Sequence, residues 1–367
     1  MLPEAINIVG RTGIKTRAGL EIFRVYRAIQ TRMHELNYLF WECTLRCNLN
    51  CLHCGSDCRS GSHTPDMPIA DFLKVLDRVS REYNPNKVMI AITGGEPLVR
   101  NDLEECGQKI YERGFPWGIV SNGYALTNDR LSALCGSGLR SITISLDGLQ
   151  KSHNWLRGNE KSFQKAIQAI RLCAAHNELA FDVVTCVHRR NISELGRIKD
   201  ILREAGVKKW RLFTIFPKGR ARQIEDFALS NCEFRQLLDF IADCRSGKAI
   251  EASYGCEGFL GEYEGKVRDG FFFCRAGITV ASVLADGGIS ACPSLRGDFI
   301  QGNIYKDDFI DCWNTRYEKM RHRAWAKTSR CSTCNVFKYC GGNGLHLRDG
   351  QESRLLICHY EKLVQQN

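Results

Sequence analysis

Between residues 38 and 216, short apolar runs alternate with helical periods six times, and this alternation most restricts what the chain can fold into. Strand candidates fall at 38–43, 88–93, 118–121, 141–146, 180–187 and 210–216. Between them, apolar residues at three- and four-residue spacing predict helices over 70–83, 102–113, 128–135, 161–176 and 193–205, with one more over 231–246. Repeated β-then-α units of this length imply parallel strands joined by right-handed crossovers. The expected class is α/β, a partial (β/α)6 TIM-like barrel with its chemistry at the C-terminal strand ends. Glycine or asparagine just past several of those ends (Gly94, Gly95, Asn122, Gly123, Gly148) suits loops that approach a ligand.

Two flanking regions have a different character. In residues 15–37, Leu20, Phe23, Tyr26, Ile29, Met33 and Leu36 recur at helical spacing, predicting an amphipathic helix with a basic outer face. After residue 248 the chain turns short-patterned, glycine-punctuated and cysteine-dense. The expected organisation is an N-terminal helical extension over 1–37, a core over 38–248 and a cysteine-rich domain over 249–367.

Nineteen cysteines in 367 residues admit extracellular disulfides, structural zinc or iron–sulfur clusters. Residues 1–17 lack the apolar stretch of a signal peptide, and the longest apolar run, 271–284, is interrupted by Arg275. The expectation is a cytoplasmic protein without a membrane span, whose thiols stay reduced and free for metal. Basic residues exceed acidic ones by 51 to 41, a net charge of +10 that permits an anionic partner without requiring one. No aromatic-interleaved basic patch accompanies it, so a zinc-bearing, nucleic-acid-binding protein is a remote alternative.

Directly after the first strand comes Cys47-x3-Cys51-x2-Cys54. One tight loop can wrap three thiolates around one face of a four-iron cluster, leaving one iron open to a small chelating molecule. Cys43 and Cys58 flank the trio; Cys43 falls in the strand and reads as a buried small hydrophobe, whereas Cys58 stays ambiguous.

This motif, in the loop after strand one of six β/α units, resembles the radical S-adenosylmethionine (radical SAM) superfamily. Gly94-Gly95-Glu96-Pro97 after strand two matches that family's GGEP segment. The resemblance implies that Cys47, Cys51 and Cys54 hold a [4Fe-4S] cluster whose open iron is chelated by the amino and carboxylate groups of S-adenosylmethionine. Gly94, Gly95 and Glu96 would hold that amino group. Ser121 and Asn122, with Gly123, match the family's TNG-like segment, with serine in place of threonine. Ser145 and Asp147 are candidates for the ribose hydroxyls, Arg157 for the cofactor carboxylate, and the loop Phe216-Pro217-Lys218-Gly219-Arg220 for the adenine.

A second pattern follows: Cys274-x12-Gly287-x4-Cys292, then Cys331-x2-Cys334-x5-Cys340, then Cys358. It resembles the SPASM extension of radical SAM peptide-modifying enzymes, which carries one or two auxiliary iron–sulfur clusters on seven cysteines. Six positions match, and Gly344 stands where the seventh is expected. By resemblance, Cys331, Cys334, Cys340 and Cys358 complete a closed distal cluster, and a nearer one keeps Cys274 and Cys292. Cys256 or Cys312 would complete the nearer one, or it has an open iron, or it is absent; His346 is one substitute candidate. Structural zinc is the competing reading of the region. His188 and His322 read as ordinary surface or core residues. Cys106, Cys135, Cys173, Cys186, Cys232 and Cys244 read as packing residues.

The implied activity is reductive cleavage of S-adenosylmethionine to a 5′-deoxyadenosyl radical that modifies a peptide or protein side chain, with flavodoxin or ferredoxin as electron donor. The stretch Cys-Gly-Gly-Asn-Gly-Leu-His-Leu-Arg, beginning at Cys340, resembles a subfamily associated with lipoprotein partners, so a lipoprotein encoded nearby is a candidate substrate. Against formylglycine formation stands Pro293, where such maturases carry aspartate, and only about 37 residues precede strand one, too few for a peptide-recognition winged helix. A haem-pathway porphyrin is the alternative substrate, since basic residues suit a polycarboxylate.

Overall fold

A computed structural model describes residues 14–365, apart from 248, 256 and 350–353. The six expected strands are β1 (Tyr38–Thr44), β2 (Met89–Gly94), β3 (Trp117–Ser121), β4 (Leu139–Ser145), β5 (Ala180–Val187) and β6 (Lys209–Thr214). Each pairs in parallel with the next. The helices are α1 (Ile14–Met33), α2 (Ile69–Glu82), α3 (Leu103–Glu112), α4 (Asn128–Gly136), α5 (Gln150–Arg157), α6 (Ser162–Ala174), α7 (Leu195–Glu204) and α8 (Asn231–Ser246). The partial barrel is therefore as expected, with one helix added. α5 was not legible because its sequence, QKSHNWLR, places only Trp155 and Leu156 as apolar residues and shows no period.

The sheet does not stop at six strands. β7 (Glu251–Tyr254) lies parallel to β6, and β8 (Val280–Val283) lies parallel to β1 at the opposite end. β9 (Gly288–Ser290) and β10 (Gly302–Asn303) continue from β8 in antiparallel fashion. The full order is β10-β9-β8-β1-β2-β3-β4-β5-β6-β7. Residues beyond 248 thus extend both ends of the sheet. These strands have two to four residues, too few to display a period of their own.

β1 is interior to this sheet, and Leu39, Trp41 and Cys43 on it are fully buried. Trp41 stacks on Phe72 of α2 at 4.7 Å and donates its indole N–H to the Met67 sulfur at 3.2 Å. The Arg100 guanidinium lies 5.4 Å from the same ring.

α1 departs from expectation. Leu20 is buried and Phe23 packs edge-on against Phe271 at 5.5 Å. Arg27 donates to the Tyr339 and Lys338 carbonyls, and Glu21 accepts from Lys338 and the Tyr339 hydroxyl. Those polar anchors turn the helix about its axis, so Tyr26, Ile29 and Met33 are 39–51% exposed, together with Ile22 and Val25. The outward face is apolar rather than simply basic. Among the described residues, no helix is long and apolar enough to cross a membrane.

Truncating Trp41 to alanine removes a close-packed aromatic from the sheet's interior. The expected cost is about 3–5 kcal/mol, read from the urea midpoint of the purified protein.

Candidate functional site

β1 delivers the chain into a loop over residues 45–59 whose backbone is tied down on several sides. Cys47 N–H donates to the Arg59 carbonyl at 3.2 Å, and Leu52 N–H to the Leu156 carbonyl at 2.8 Å. The loop after β6 closes over it: Arg220 donates through its backbone to the Cys54 carbonyl at 3.0 Å, and through Nε to the Cys51 carbonyl at 2.8 Å. Gly219 makes that approach possible. Its φ is +56°, and a Cβ there would lie 2.4 Å from the Cys54 carbonyl oxygen. With its carbonyls occupied, the loop keeps its sulfurs for other partners. Cys47 and Cys51 are buried and Cys54 half-buried, among Leu45, Leu49 and Tyr124.

Burial pushes the Cys47 thiol up to about 11. A hydrogen bond from the Cys58 thiol draws Cys54 down to about 5, so Cys58 sits against the trio rather than in a separate core. Cys43 lies in β1, fully buried.

Glu96 joins this loop to the ends of β2 and β3. Its Oε1 accepts from Leu98 N–H at 3.1 Å and the Ser121 hydroxyl at 2.8 Å, and its Oε2 accepts from Asn122 N–H at 2.7 Å. Burial raises its pKa, opposed by these three donors. The Asn122 amide reaches Asn48 Oδ1 at 2.8 Å and Cys47 Sγ at 4.0 Å. Gly94 and Gly95 are dictated by packing: a Cβ on either would lie about 2 Å from the Thr44 or Arg46 carbonyl oxygen, respectively.

The end of β4 and the end of α5 supply a charged pair. Ser145 and Asp147 are buried, and Asp147 Oδ2 accepts from Arg157 Nε at 2.7 Å while Oδ1 accepts from Cys186 N–H at 2.8 Å. Burial alone would raise the Asp147 carboxyl; Arg157 instead holds it down, at about 2. Arg157 Nη1 approaches Cys51 Sγ at 3.6 Å, so this pair braces the cysteine loop. Sequence reasoning missed the groups around it. His53, Asp147 and Cys186 bring three ligand-type atoms within 4.8 Å of one another, and the His153 ring accepts the Asp147 N–H at 2.9 Å. His188 is buried nearby. No spacing rule links these residues, which come from the loop after β1, the end of β4, α5 and β5 and meet only in the fold.

The cysteine-rich region forms two further groups. Cys331, Cys334, Cys340 and Cys358 are near enough for their charges to be felt mutually. Asn343 N–H donates to Cys340 Sγ at 3.1 Å and Arg348 to Cys331 Sγ at 3.4 Å. Cys274 and Cys292 form the second group. Burial would raise the Cys274 thiol, but Arg323 and the Leu345 N–H, which both donate to it, bring it below its usual range. Cys312 is elsewhere, with its sulfur against Gly302 in β10, and Cys256 lies outside the described residues.

The donor sets suit clusters better than single ions. Tetrahedral zinc with bonds of about 2.3 Å draws its sulfurs to within about 4 Å of one another. Among the described residues, the His53, Asp147 and Cys186 grouping is the one that comes within 4.8 Å, and no three cysteines do. Between the first cysteine loop and the cysteine-rich region lies a cavity of about 530 Å³, lined by Gly55, Phe216, Lys218, Pro293, Arg296 and Phe299 among others.

Residues 41–218 match the radical SAM superfamily model and residues 274–335 match an iron–sulfur cluster-binding domain, SPASM. These domains bind a [4Fe-4S] cluster with S-adenosylmethionine and auxiliary iron–sulfur clusters, so the zinc reading gives way. The chain is 24% identical over 319 residues to the AdoMet-dependent heme synthase of Nitratidesulfovibrio vulgaris, covering 82% of this chain and 85% of that protein. It is 26% identical over 318 residues to the mycofactocin maturase MftC of Mycolicibacterium smegmatis, covering 83% and 76% respectively. The structure of Streptococcus suis SuiB bound to its precursor peptide SuiA shares the fold, with a TM-score of 0.66 at 17% identity over 88% of this chain and 75% of that one.

Replacing Asp147 by asparagine leaves the Arg157 charge buried without its counter-ion. A loss of about 3–5 kcal/mol is expected in chemical denaturation, most of it recovered when Arg157 is also replaced by methionine.

Proposed function

We propose, from the premise that the chain is a radical SAM enzyme with a C-terminal SPASM domain, that it modifies a side chain of a peptide or protein substrate held between those two parts. Cys47, Cys51 and Cys54 are the ligands we assign to the cluster that binds S-adenosylmethionine. Bound and reduced, that pair supplies a 5′-deoxyadenosyl radical able to remove a substrate hydrogen atom.

The chain's own residues bind and orient. A carboxylate offers about four acceptor sites, and Glu96 uses three on Leu98, Ser121 and Asn122, leaving one on Oε2 for an amino group of the cofactor. Asp147 holds Arg157 so that its remaining nitrogen faces Cys51, where it would meet the cofactor carboxylate. With Ser145 it keeps acceptor capacity for ribose hydroxyls. Gly94 and Gly95 fold the Glu96 turn against the exit of β1, which sets the carboxylate's position. Distal thiolates Cys331, Cys334, Cys340 and Cys358 would close one auxiliary cluster, and Cys274 and Cys292 would contribute to another.

The observation that carries the substrate reading is the cavity's position. It borders the first cysteine loop on one side and the segment after Cys292 on the other, so an inserted side chain would lie between the two. Relatives named as maturases are similar over most of the chain, and the peptide-bound SuiB shares its fold. A lipoprotein substrate and a flavodoxin or ferredoxin donor belong to the same proposal. A second reading, a porphyrin of the haem pathway, has its own support: several similar proteins are named for haem or coproporphyrin synthesis, and Lys218, Arg222 and Arg296 line the cavity with positive charge.

Anaerobically reconstituted enzyme, given dithionite and S-adenosylmethionine, is expected to release 5′-deoxyadenosine, and the Cys47→Ala/Cys51→Ala/Cys54→Ala variant to release none. Release that rises with a peptide or lipoprotein panel, with a mass change in that substrate, supports the first reading; a rise only with a porphyrin supports the second. Intact cofactor in every arm overturns both.

A further inference from the structure

Among the described cysteines, only Cys274 and Cys292 form the second group: Cys312 packs against Gly302, and Cys331, Cys334, Cys340 and Cys358 form their own set. On the Cys274 side, the nearby chain carries an imidazole. The Leu345 N–H donates to Cys274, so the chain wraps that sulfur between Gly344 and His346. The His346 ring folds back over Gly344: a Cβ built on Gly344 would lie 2.7 Å from His346 Cε1 and 3.0 Å from Nδ1. The ring therefore fills the space a side chain at 344 would take. It is flanked by Phe216 at 5.0 Å between centroids, and it shares Arg323 with Cys274 and Lys218 with Cys292 as charged neighbours. Glu257 and His359 are the other titratable groups facing it.

We infer that His346 ligates iron through a ring nitrogen in the auxiliary cluster held by Cys274 and Cys292, taking the place of a cysteine at position 344. The inference rests on the SPASM domain carrying that cluster and is independent of the substrate. Neutral imidazole is an established replacement for thiolate on iron–sulfur clusters and raises their reduction potential.

The test first removes the cofactor as a source of nitrogen ligation. The full-length Cys47→Ala/Cys51→Ala/Cys54→Ala variant lacks the cofactor-binding ligands, so its reduced auxiliary clusters can be examined alone by electron–nuclear double resonance. With 15N-labelled histidine, a strong 15N coupling is expected. It should vanish in His346→Ala, together with iron and sulfide equivalent to one cluster, whereas His346→Cys should restore the iron with no nitrogen coupling and a lower potential. Full iron content with no histidine coupling in the parent variant, or a spectrum unchanged by His346→Ala, overturns the assignment. Cleavage of S-adenosylmethionine by the unsubstituted enzyme would stand in either case, so the two failures are distinguishable.

Discussion

The structure depends on β1 being paired on both edges. Tyr38 to Trp41 register against Met89 to Ile92 of β2 on one side and against Val280 to Val283 of β8 on the other. A strand held between two parallel neighbours cannot slip by one residue without turning every side chain to the wrong face. That single register fixes two things at once. The first cysteine loop emerges from the C-terminal end of β1, while Cys274 precedes β8 and Cys292 follows β9. The spacing between the first cysteine group and the nearer auxiliary one is therefore set by a sheet, not by a linker. The expected break near residue 248 marks a change in sequence character across which the sheet continues, through β7 at one end and β8 at the other.

Each cysteine group also carries a guanidinium. Arg157 lies against Cys51, Arg323 donates to Cys274 and Arg348 donates to Cys331. Thiolates on a buried cluster are anions in a low-dielectric setting, and they need cations or oriented N–H donors nearby. Asn343 N–H at Cys340 and the Asn122 amide near Cys47 serve the same end without charge. Donors to the sulfurs are also a means of setting cluster potential. Much of the chain's basic excess is distributed over the surface, but these three arginines are half-buried or buried and have a local purpose.

How much of this was legible in the sequence follows from the length scale of each signal. Six strands and their long helices could be read because each spans enough residues to show a period. The cysteine groups could be read because their ligands are close in sequence. β7, β8 and α5 were hidden by their shortness or polarity. The orientation of α1 was hidden because Glu21 and Arg27 find their partners at Lys338 and Tyr339, more than three hundred residues away. The same holds for the surroundings of Asp147: motif resemblance nominated Asp147 and Arg157, but Cys186, His53 and His153 meet them only in three dimensions. Cys186, read as a packing residue, contributes its backbone N–H to that carboxylate.

Gly344 shows why a departure from a motif has to be weighed together with its neighbours. Its φ of −62° and ψ of 140° are open to any residue, so conformation does not demand glycine there. Space does. The Glu257 carbonyl oxygen would lie 2.7 Å from a Cβ on one side, and the His346 ring occupies the other. Gly344 N–H donates to that same Glu257 carbonyl, which pins the backbone in place and prevents it from moving away to make room. A side chain at 344 and the His346 ring in its present position therefore exclude one another. A side chain at 344 would require both the imidazole and the Glu257 carbonyl to move, so the glycine and the ring form one packing unit.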